Sequence, residues 1–110
     1  MANTFKNAAL ANVSNSSYQT LYTAPANTQT VILGLAIANK TTNAVTVQVQ
    51  FRDGSASADF QLLENVSIPA NTTLETLAGQ KYILEAADIL KVKAGTGSAI
   101  DVVLGFMEKA

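Results

Sequence analysis

The chain has 110 residues, enough for one domain with a two-layer hydrophobic core. Its net charge of -1 disfavours electrostatic capture of nucleic acid, and no apolar run has the length of a membrane span or the form of a signal peptide. Charged residues make up only 14% and hydrophobic residues 48%, so much of the surface is neutral and favours burial against other subunits.

The first stretch, residues 1–17, is rich in Asn, Ala and Ser. Its large apolar residues are Phe5, Leu10 and Val13. This composition predicts an N-terminal arm or an irregular edge strand, with a frayed terminus as the simpler alternative. Residues 18–110 are predicted to form the folded domain.

The most apolar strand is predicted from Thr30 to Asn39. At a period of two, its residues divide into a bulky face and a face of mostly small side chains, neither of them polar. This pattern predicts a central strand that is covered on both sides, with the bulky face in the core. The bulky face contains Val31, Leu33, Leu35 and Ile37, and the other face contains Ile32, Gly34, Ala36 and Ala38.

Further strands follow on both sides of this one. Residues 44–51 alternate most clearly, with valines on one face and Thr or Gln on the other. Turn signals recur roughly every 8–12 residues and no segment has a helical period, which favours a β-sandwich. We therefore predict an all-β fold, a single antiparallel β-sandwich of 7–8 strands, jelly-roll or immunoglobulin-like. The predicted core is Val31, Leu33, Leu35, Ile37, Val45, Val47, Val49, Phe51, Phe60, Leu62, Leu84, Leu90, Val92, Val102, Leu104 and Phe106.

The residue types that carry most enzyme chemistry are missing. The chain has no His and no Cys, which removes the commonest general base, the usual zinc ligands and thiolate nucleophiles. Its carboxylates are few and scattered, and the Gly95–Gly97 segment lacks the rest of a phosphate-binding loop. We expect a protein that is not an enzyme and that needs no cofactor.

Two binding motifs are weak alternatives. Asp53, Ser55, Ser57 and Asp59 place oxygen-bearing side chains at alternate positions, in outline like a calcium loop, but the bidentate Glu of such loops is missing. A solvated turn is the simpler interpretation.

Exposed aromatic residues can also form a platform for sugars. The tyrosines are Tyr18, Tyr22 and Tyr82, and the chain has no Trp. Packing at strand ends is the simpler role for these three rings, although a carbohydrate-binding module stays open as an alternative.

A candidate interface combines the small face of the central strand with one face of the last strand. If the two strands are neighbours in one sheet, these residues form a shallow apolar patch of the kind that marks an interaction surface. The N-terminal arm would then reach onto an adjacent subunit. The alternative is that the arm or the segment 73–77 folds over the patch within the same chain. The candidate interface residues are Ile32, Gly34, Ala36, Ala38, Val103, Gly105 and Met107.

The order of strands and turns resembles small β-sandwich virion proteins of tailed bacteriophages. The resemblance covers residues 20 to 105 and begins with LYTAPA at Leu21–Ala26, followed by the central strand and a valine-rich strand. It continues with IPANTTL at Ile68–Leu74, then YILEAADILKV at Tyr82–Val92, and closes with AIDVVL. This chain has Asn27, Asn71 and Ala87 where the family often has Gly. Asn adopts left-handed backbone angles readily, so the first two differences are mild.

The resemblance implies a structural role on a virion. Such proteins are capsid decoration (cement) subunits, or components of the neck, collar or tail fibre. It implies as partners the protein itself and a major capsid or neck protein, with no nucleic acid and no membrane. A trimer is expected because decoration proteins often lie on local threefold axes. The protein would be made in the host bacterial cytoplasm and be located in the virion.

Overall fold

A computed structural model describes residues 3–76 and 82–109, and these residues form nine β-strands. No helix in this part of the chain is long and apolar enough to cross a membrane. The strands are β1 (Asn3–Leu10), β2 (Gln19–Thr23), β3 (Gln29–Asn39), β4 (Val45–Asp53), β5 (Ala58–Ile68), β6 (Thr73–Thr76), β7 (Tyr82–Leu84), β8 (Ile89–Ala94) and β9 (Ile100–Lys109).

The strands form two antiparallel sheets that pack face to face. Sheet I has the order β1-β9-β3-β6, and β7 also pairs with β3, further along the same edge as β6. Sheet II has the order β2-β8-β4-β5. Because the chain crosses repeatedly between sheets and its last strand lies between β1 and β3, the topology is that of a jelly roll rather than an immunoglobulin domain. The predicted all-β sandwich is confirmed, and β6 and β7 share one strand position.

The core lies between the sheets and is built from alternating apolar residues. Val45, Val47 and Val49 of β4 are buried, and their neighbours Thr46 and Gln48 point away from the core. Full burial of one such side chain contributes roughly 1.5–3 kcal/mol. The buried apolar residues are Val13, Leu21, Ala24, Ile32, Leu35, Ile37, Val45, Val47, Val49, Ile68, Leu84, Leu90, Val92, Ala94, Ala99, Ile100, Val102, Leu104 and Phe106.

A β-bulge at Leu33 reverses the predicted faces of the first half of β3. Ile32 pairs with Phe106 and Gly34 pairs with Gly105, so Leu33 is an extra residue with no partner in β9. One extra residue moves every side chain before it to the other face of the sheet. Ile32 is therefore fully buried, whereas Leu33 is 42% exposed and Val31 points outward. The prediction that Val31 and Leu33 lie in the core was wrong, as was the placement of Ile32 on the interface.

Phe60 is the other predicted core residue that the structure places at the surface. It is 52% exposed on the edge strand β5, where the hairpin of β4 and β5 extends beyond the core. Its ring stacks on Phe51 at 6.2 Å between centroids, and Phe51 and Leu62 are half-buried. The pairing of β5 with β4 shifts register between Val47 and Val49 and again between Val49 and Gln50, so the alternation predicted for β5 does not hold along the whole strand.

Three turns use left-handed backbone angles where the phage proteins often have Gly. Asn27 and Asn71 have φ of 56° and 54°, as expected for Asn. Ala87 has φ of 73°, which costs a residue with a β-carbon roughly 1–2 kcal/mol. The next residue, Asp88, is buried and accepts hydrogen bonds from the backbone N–H groups of Gly54 (2.9 Å) and Glu85 (2.8 Å). These two bonds tie the turn to the β4–β5 connection and hold Ala87 in its strained conformation.

A polar cluster joins the two sheets at one end of the sandwich. Tyr22 of sheet II packs its ring against Phe106 of sheet I, with 4.2 Å between centroids. Its hydroxyl donates to Glu108 Oε2 at 2.6 Å and lies 2.8 Å from Thr30 Oγ1, and Lys6 Nζ lies 2.9 Å from Glu108 Oε1. Burial, followed by the hydrogen bond to Glu108, raises the pKa of Tyr22 to about 12. The hydrogen bond from Tyr22, followed by that from Lys6, lowers the pKa of Glu108.

Candidate interaction surface

The outer face of sheet I contains six of the seven candidate interface residues. β3 and β9 are neighbours, so Ala36 pairs with Val103 and Gly34 pairs with Gly105. Ala38 and Met107 continue this face toward the two ends of the sheet. The seventh candidate residue, Ile32, is in the core, because the bulge turns it inward.

The sequence predicts two possible covers for this face, the N-terminal arm and the segment 73–77. In the part of the chain that the structure describes, both form strands beside the face. β1 pairs along β9 as an edge strand of the same chain, from Asn3 opposite Lys109 to Leu10 opposite Val102. Thr73–Thr76 forms β6 and pairs along β3. Leu77 lies outside the described residues. The strands on both sides thus widen the outer face of sheet I rather than bury it.

A row of four large apolar residues crosses this face near one end. Phe5 of β1 pairs with Met107 of β9, Met107 pairs with Val31 of β3, and Val31 pairs with Ile83 of β7. Residues that pair directly have their side chains on the same face of the sheet. Phe5 is 73% exposed and Ile83 is 60% exposed. We call this row the ridge.

A hollow lies next to the ridge, where two glycines face each other. Gly34 and Gly105 line an open groove of about 360 Å³, together with Leu33, Leu35, Ala36, Glu75, Thr76 and Val103. A β-carbon added at either glycine would meet no atom within 4 Å. The fold of this chain therefore does not require Gly at either position, although Gly weakens a strand interior. A Gly pair of this kind is typical of a place where another molecule approaches the backbone closely.

The outer face of sheet II has the opposite character. Its two central strands present Thr46, Gln48 and Gln50 from β4, and Lys91 and Lys93 from β8. On the edge strand, Gln61 and Glu64 accept hydrogen bonds from glutamines of β4. The outer face of sheet I therefore has an apolar centre with polar residues at its margins, such as Glu75 and Lys109, whereas the outer face of sheet II is polar throughout.

The described tyrosine side chains do not combine into a platform for sugar rings. Tyr18 lies on the polar face, where its hydroxyl bonds to Gln48 (3.2 Å) and Gln61 (2.8 Å), and Lys93 Nζ lies 5.9 Å from its ring centroid. The ring of Tyr22 packs against the core residue Phe106. The side chain of the third candidate, Tyr82, lies outside the described structure.

The loop from Asp53 to Asp59 uses its carboxylates for the fold. Asp53 Oδ1 accepts bonds from Ser55 N (3.0 Å), Ser55 Oγ (2.8 Å) and Ala56 N (3.2 Å). The hydrogen bond from the Ser55 side chain is the main cause of the lowered pKa of Asp53. Asp59 pairs with Arg52 and Lys91 at 3.2 and 3.5 Å. Within residues 3–76 and 82–109, no three acidic side chains cluster in a way that would hold a metal ion.

Comparisons with known proteins relate the chain to others by fold. No protein-family model and no curated protein matches it. Among solved structures, a subunit of Bacillus endospore appendages, described as a novel family of disulfide-linked pili, aligns over 96% of this chain and 85% of its own, at 9% identity and a TM-score of 0.53. The VP2 protein of infectious bursal disease virus aligns over 96% of this chain and 32% of its own, at 7% identity and a TM-score of 0.48. A pentameric capsid protein from metagenomic phage sequences aligns over 94% and 59%, at 16% identity and a TM-score of 0.40. At these identities the comparisons establish similarity of fold alone.

Proposed function

We propose that this protein is a non-enzymatic structural subunit of a tailed-phage virion, a capsid decoration protein that binds the major capsid protein and copies of itself. The observation that carries the proposal is the contrast between the two outer faces of the sandwich. The outer face of sheet I has an apolar centre and holds the ridge and the hollow, whereas the outer face of sheet II is polar. The sequence resemblance to small phage virion proteins supports the proposal that the particle is a tailed-phage virion.

Exposed apolar side chains on sheet I explain why this face is the proposed contact. Phe5, Ile83 and Val103 are each at least half exposed, at 73%, 60% and 50%. Contiguous apolar patches on a small protein mark interaction surfaces or promote aggregation. Covering them with another subunit removes apolar area from water, which is favourable by roughly 25 cal/mol per Å² before the costs of association. The polar face would remain in contact with water on the outside of the particle.

The oligomer that we propose is a trimer, made in the host bacterial cytoplasm and then incorporated in the virion. Its threefold arrangement is carried over from the resemblance to decoration proteins. A neck, collar or tail-fibre position would use the same apolar face and is the nearest alternative. A carbohydrate-binding adhesion module is the alternative from a different class, and it would use the polar face around Tyr18.

The test adds charge to each outer face in turn. The variant Ala36→Glu with Val103→Glu puts two carboxylates beside the hollow, and the control Thr46→Glu with Gln50→Glu puts two on the polar face. All four positions point away from the core, so both variants should fold. We expect the first variant to be lost from purified particles and the control to occupy them at the wild-type level. Wild-type occupancy by a folded Ala36→Glu/Val103→Glu variant would refute the proposal.

Two measurements separate the alternatives. Electron microscopy of intact particles, with the subunit tagged at its N-terminus, distinguishes a capsid location from a neck or tail location. Calorimetric titration with host surface glycans tests the adhesion module. Glycan binding that Tyr18→Ala abolishes, together with absence of the tag from particles, would favour that module instead.

A further inference from the structure

The proposed function leaves open what occupies the hollow of sheet I. We infer that Phe5 of one copy inserts into the hollow of a neighbouring copy; this inference rests on the proposed self-assembly and identifies its contact. The hollow would thus be the docking site for the edge strand β1 of another subunit.

Phe5 is suited to be the inserted group because its own chain gives it little cover. It is the most exposed large hydrophobic residue of the described chain, at 73%, and it projects from an edge strand. Its one cross-strand neighbour on that face is Met107. A phenyl ring has low conformational entropy to lose and buries a large apolar area, so aromatic anchors often dominate the energy of an interface.

The hollow is suited to receive an aromatic ring. Gly34 and Gly105 form a flat floor, with the apolar side chains of Leu33 and Val103 beside it. The free space above both glycines allows a ring to rest on the backbone. Phe5 does not line the hollow of its own chain: it lies opposite Met107 and is 73% exposed.

Charges on the two surfaces are complementary. Glu75 lines the hollow and is exposed to solvent. On the same face as Phe5, Lys109 lies two residues beyond Met107 and pairs with Asn3 of β1. A copy that inserts Phe5 would therefore bring a cation toward an anion of its neighbour, which favours the correct register. Phe5 and the hollow both lie on the outer face of sheet I, so each copy carries both halves of the contact and two copies can bind each other through it.

The experiment uses two single variants, each of which removes one side of this contact. Phe5→Ala removes the inserted ring, and Gly105→Val fills the hollow with a side chain that suits a strand. Neither change should disturb the fold, because Phe5 is exposed and the space above Gly105 is open. Phe60→Ala removes a ring of the same size that is 52% exposed on β5 of sheet II, outside the proposed contact, and is the matched control.

Self-association is measured by analytical ultracentrifugation of the free protein and by rebinding of tagged protein to particles that lack it. Each of the first two variants alone should associate at least about tenfold more weakly than wild type, and the control within about twofold. An equimolar mixture of Phe5→Ala and Gly105→Val should associate more strongly than either variant alone, because Phe5 of the second can enter the open hollow of the first. The reverse contact lacks both halves, so association should stay weaker than in the wild type.

Absence of rescue in the mixture would overturn the inference, as would a wild-type protein that self-associates in neither setting. A separate outcome is that the mixture shows no gain in association while Ala36→Glu/Val103→Glu is lost from particles. In that case the proposed function stands, and only the contact between Phe5 and the hollow is wrong. An equal loss for Phe60→Ala would indicate that truncating any exposed ring weakens association and would also overturn the inference.

Discussion

The β-bulge in β3 predicts opposite outcomes for two adjacent truncations, Ile32→Ala and Leu33→Ala. Ile32 is fully buried between the sheets, and removing a buried Ile side chain typically costs about 2–5 kcal/mol. Leu33 is 42% exposed beside the hollow, and surface truncations away from the core usually change stability by less than about 1 kcal/mol. Against a total of roughly 5–15 kcal/mol for a domain, the first change is large and the second is small.

Thermal unfolding followed by circular dichroism measures both variants. In a domain of this size 1 kcal/mol corresponds to a shift in Tm of roughly 4 °C or more. We expect Ile32→Ala to lower Tm by roughly 8–20 °C and Leu33→Ala by less than about 5 °C. Urea titrations should give a lower midpoint for Ile32→Ala at an unchanged m-value, which would show that only stability has changed.

The test of the bulge is which of the two variants, Ile32→Ala or Leu33→Ala, loses more stability. An uninterrupted period of two along 31–37 would place Leu33 in the core with Leu35, and Leu33→Ala would then be the damaging variant. Equal losses, or a larger loss for Leu33→Ala, would refute the bulge and return Ile32 to the outer face.

Three further predictions test the core, a strained turn and the polar cluster. Leu35→Asp should unfold the domain, because Leu35 is 2% exposed and burying an unpaired carboxylate costs several kcal/mol; a soluble variant with unchanged Tm would contradict this. Ala87→Gly should stabilise the fold by about 1 kcal/mol by relieving its positive φ, seen as a rise of a few degrees in Tm; a fall would mean that the turn gains nothing from Gly. The pKa of Tyr22 is raised from 10.0 to about 12, so its contribution to stability is complete below pH 10 and is lost as pH rises through 12. The Tm of Tyr22→Phe should therefore fall less between pH 10 and 12 than the Tm of the wild type. Equal falls in the two proteins would show that ionisation of Tyr22 does not affect stability in this range.

The fold was predictable where alternation runs without interruption. Val45, Val47 and Val49 of β4, and Val102 and Leu104 of β9, are buried as their period of two indicates. The pattern fails at a bulge because both faces of 31–38 are apolar, so the sequence does not mark the position of the extra residue. Ile68 and Val13 were missed for another reason: they lie in the core at a strand end and in a connection, where no alternating run points to them.

The candidate surface was predictable in its centre and not at its edges. Ala36, Val103 and Gly105 were found because each strand has a run on one face without polar side chains, at 34–38 in β3 and 103–107 in β9. Phe5 and Ile83 belong to strands that are distant in the sequence, and they join the ridge only through register with Met107 and Val31. Register between distant strands depends on the whole sheet, so single-strand patterns do not contain it.

The position of β9 has a consequence for how the chain folds as it is synthesised. Among the nine described strands β9 is synthesised after the other eight, and it lies between β1 and β3, which are made early. Sheet I therefore stays open until residues 100–109 have been synthesised, with the apolar strand β3 lacking its longest partner. Pairing between such distant segments pays a large loop-closure cost and is slow, and it leaves unpaired strand edges exposed meanwhile. A nascent chain that lacks residues 100–109 would hence be prone to edge-to-edge aggregation, and the pairing of β9 would be the step that commits it to the native sandwich.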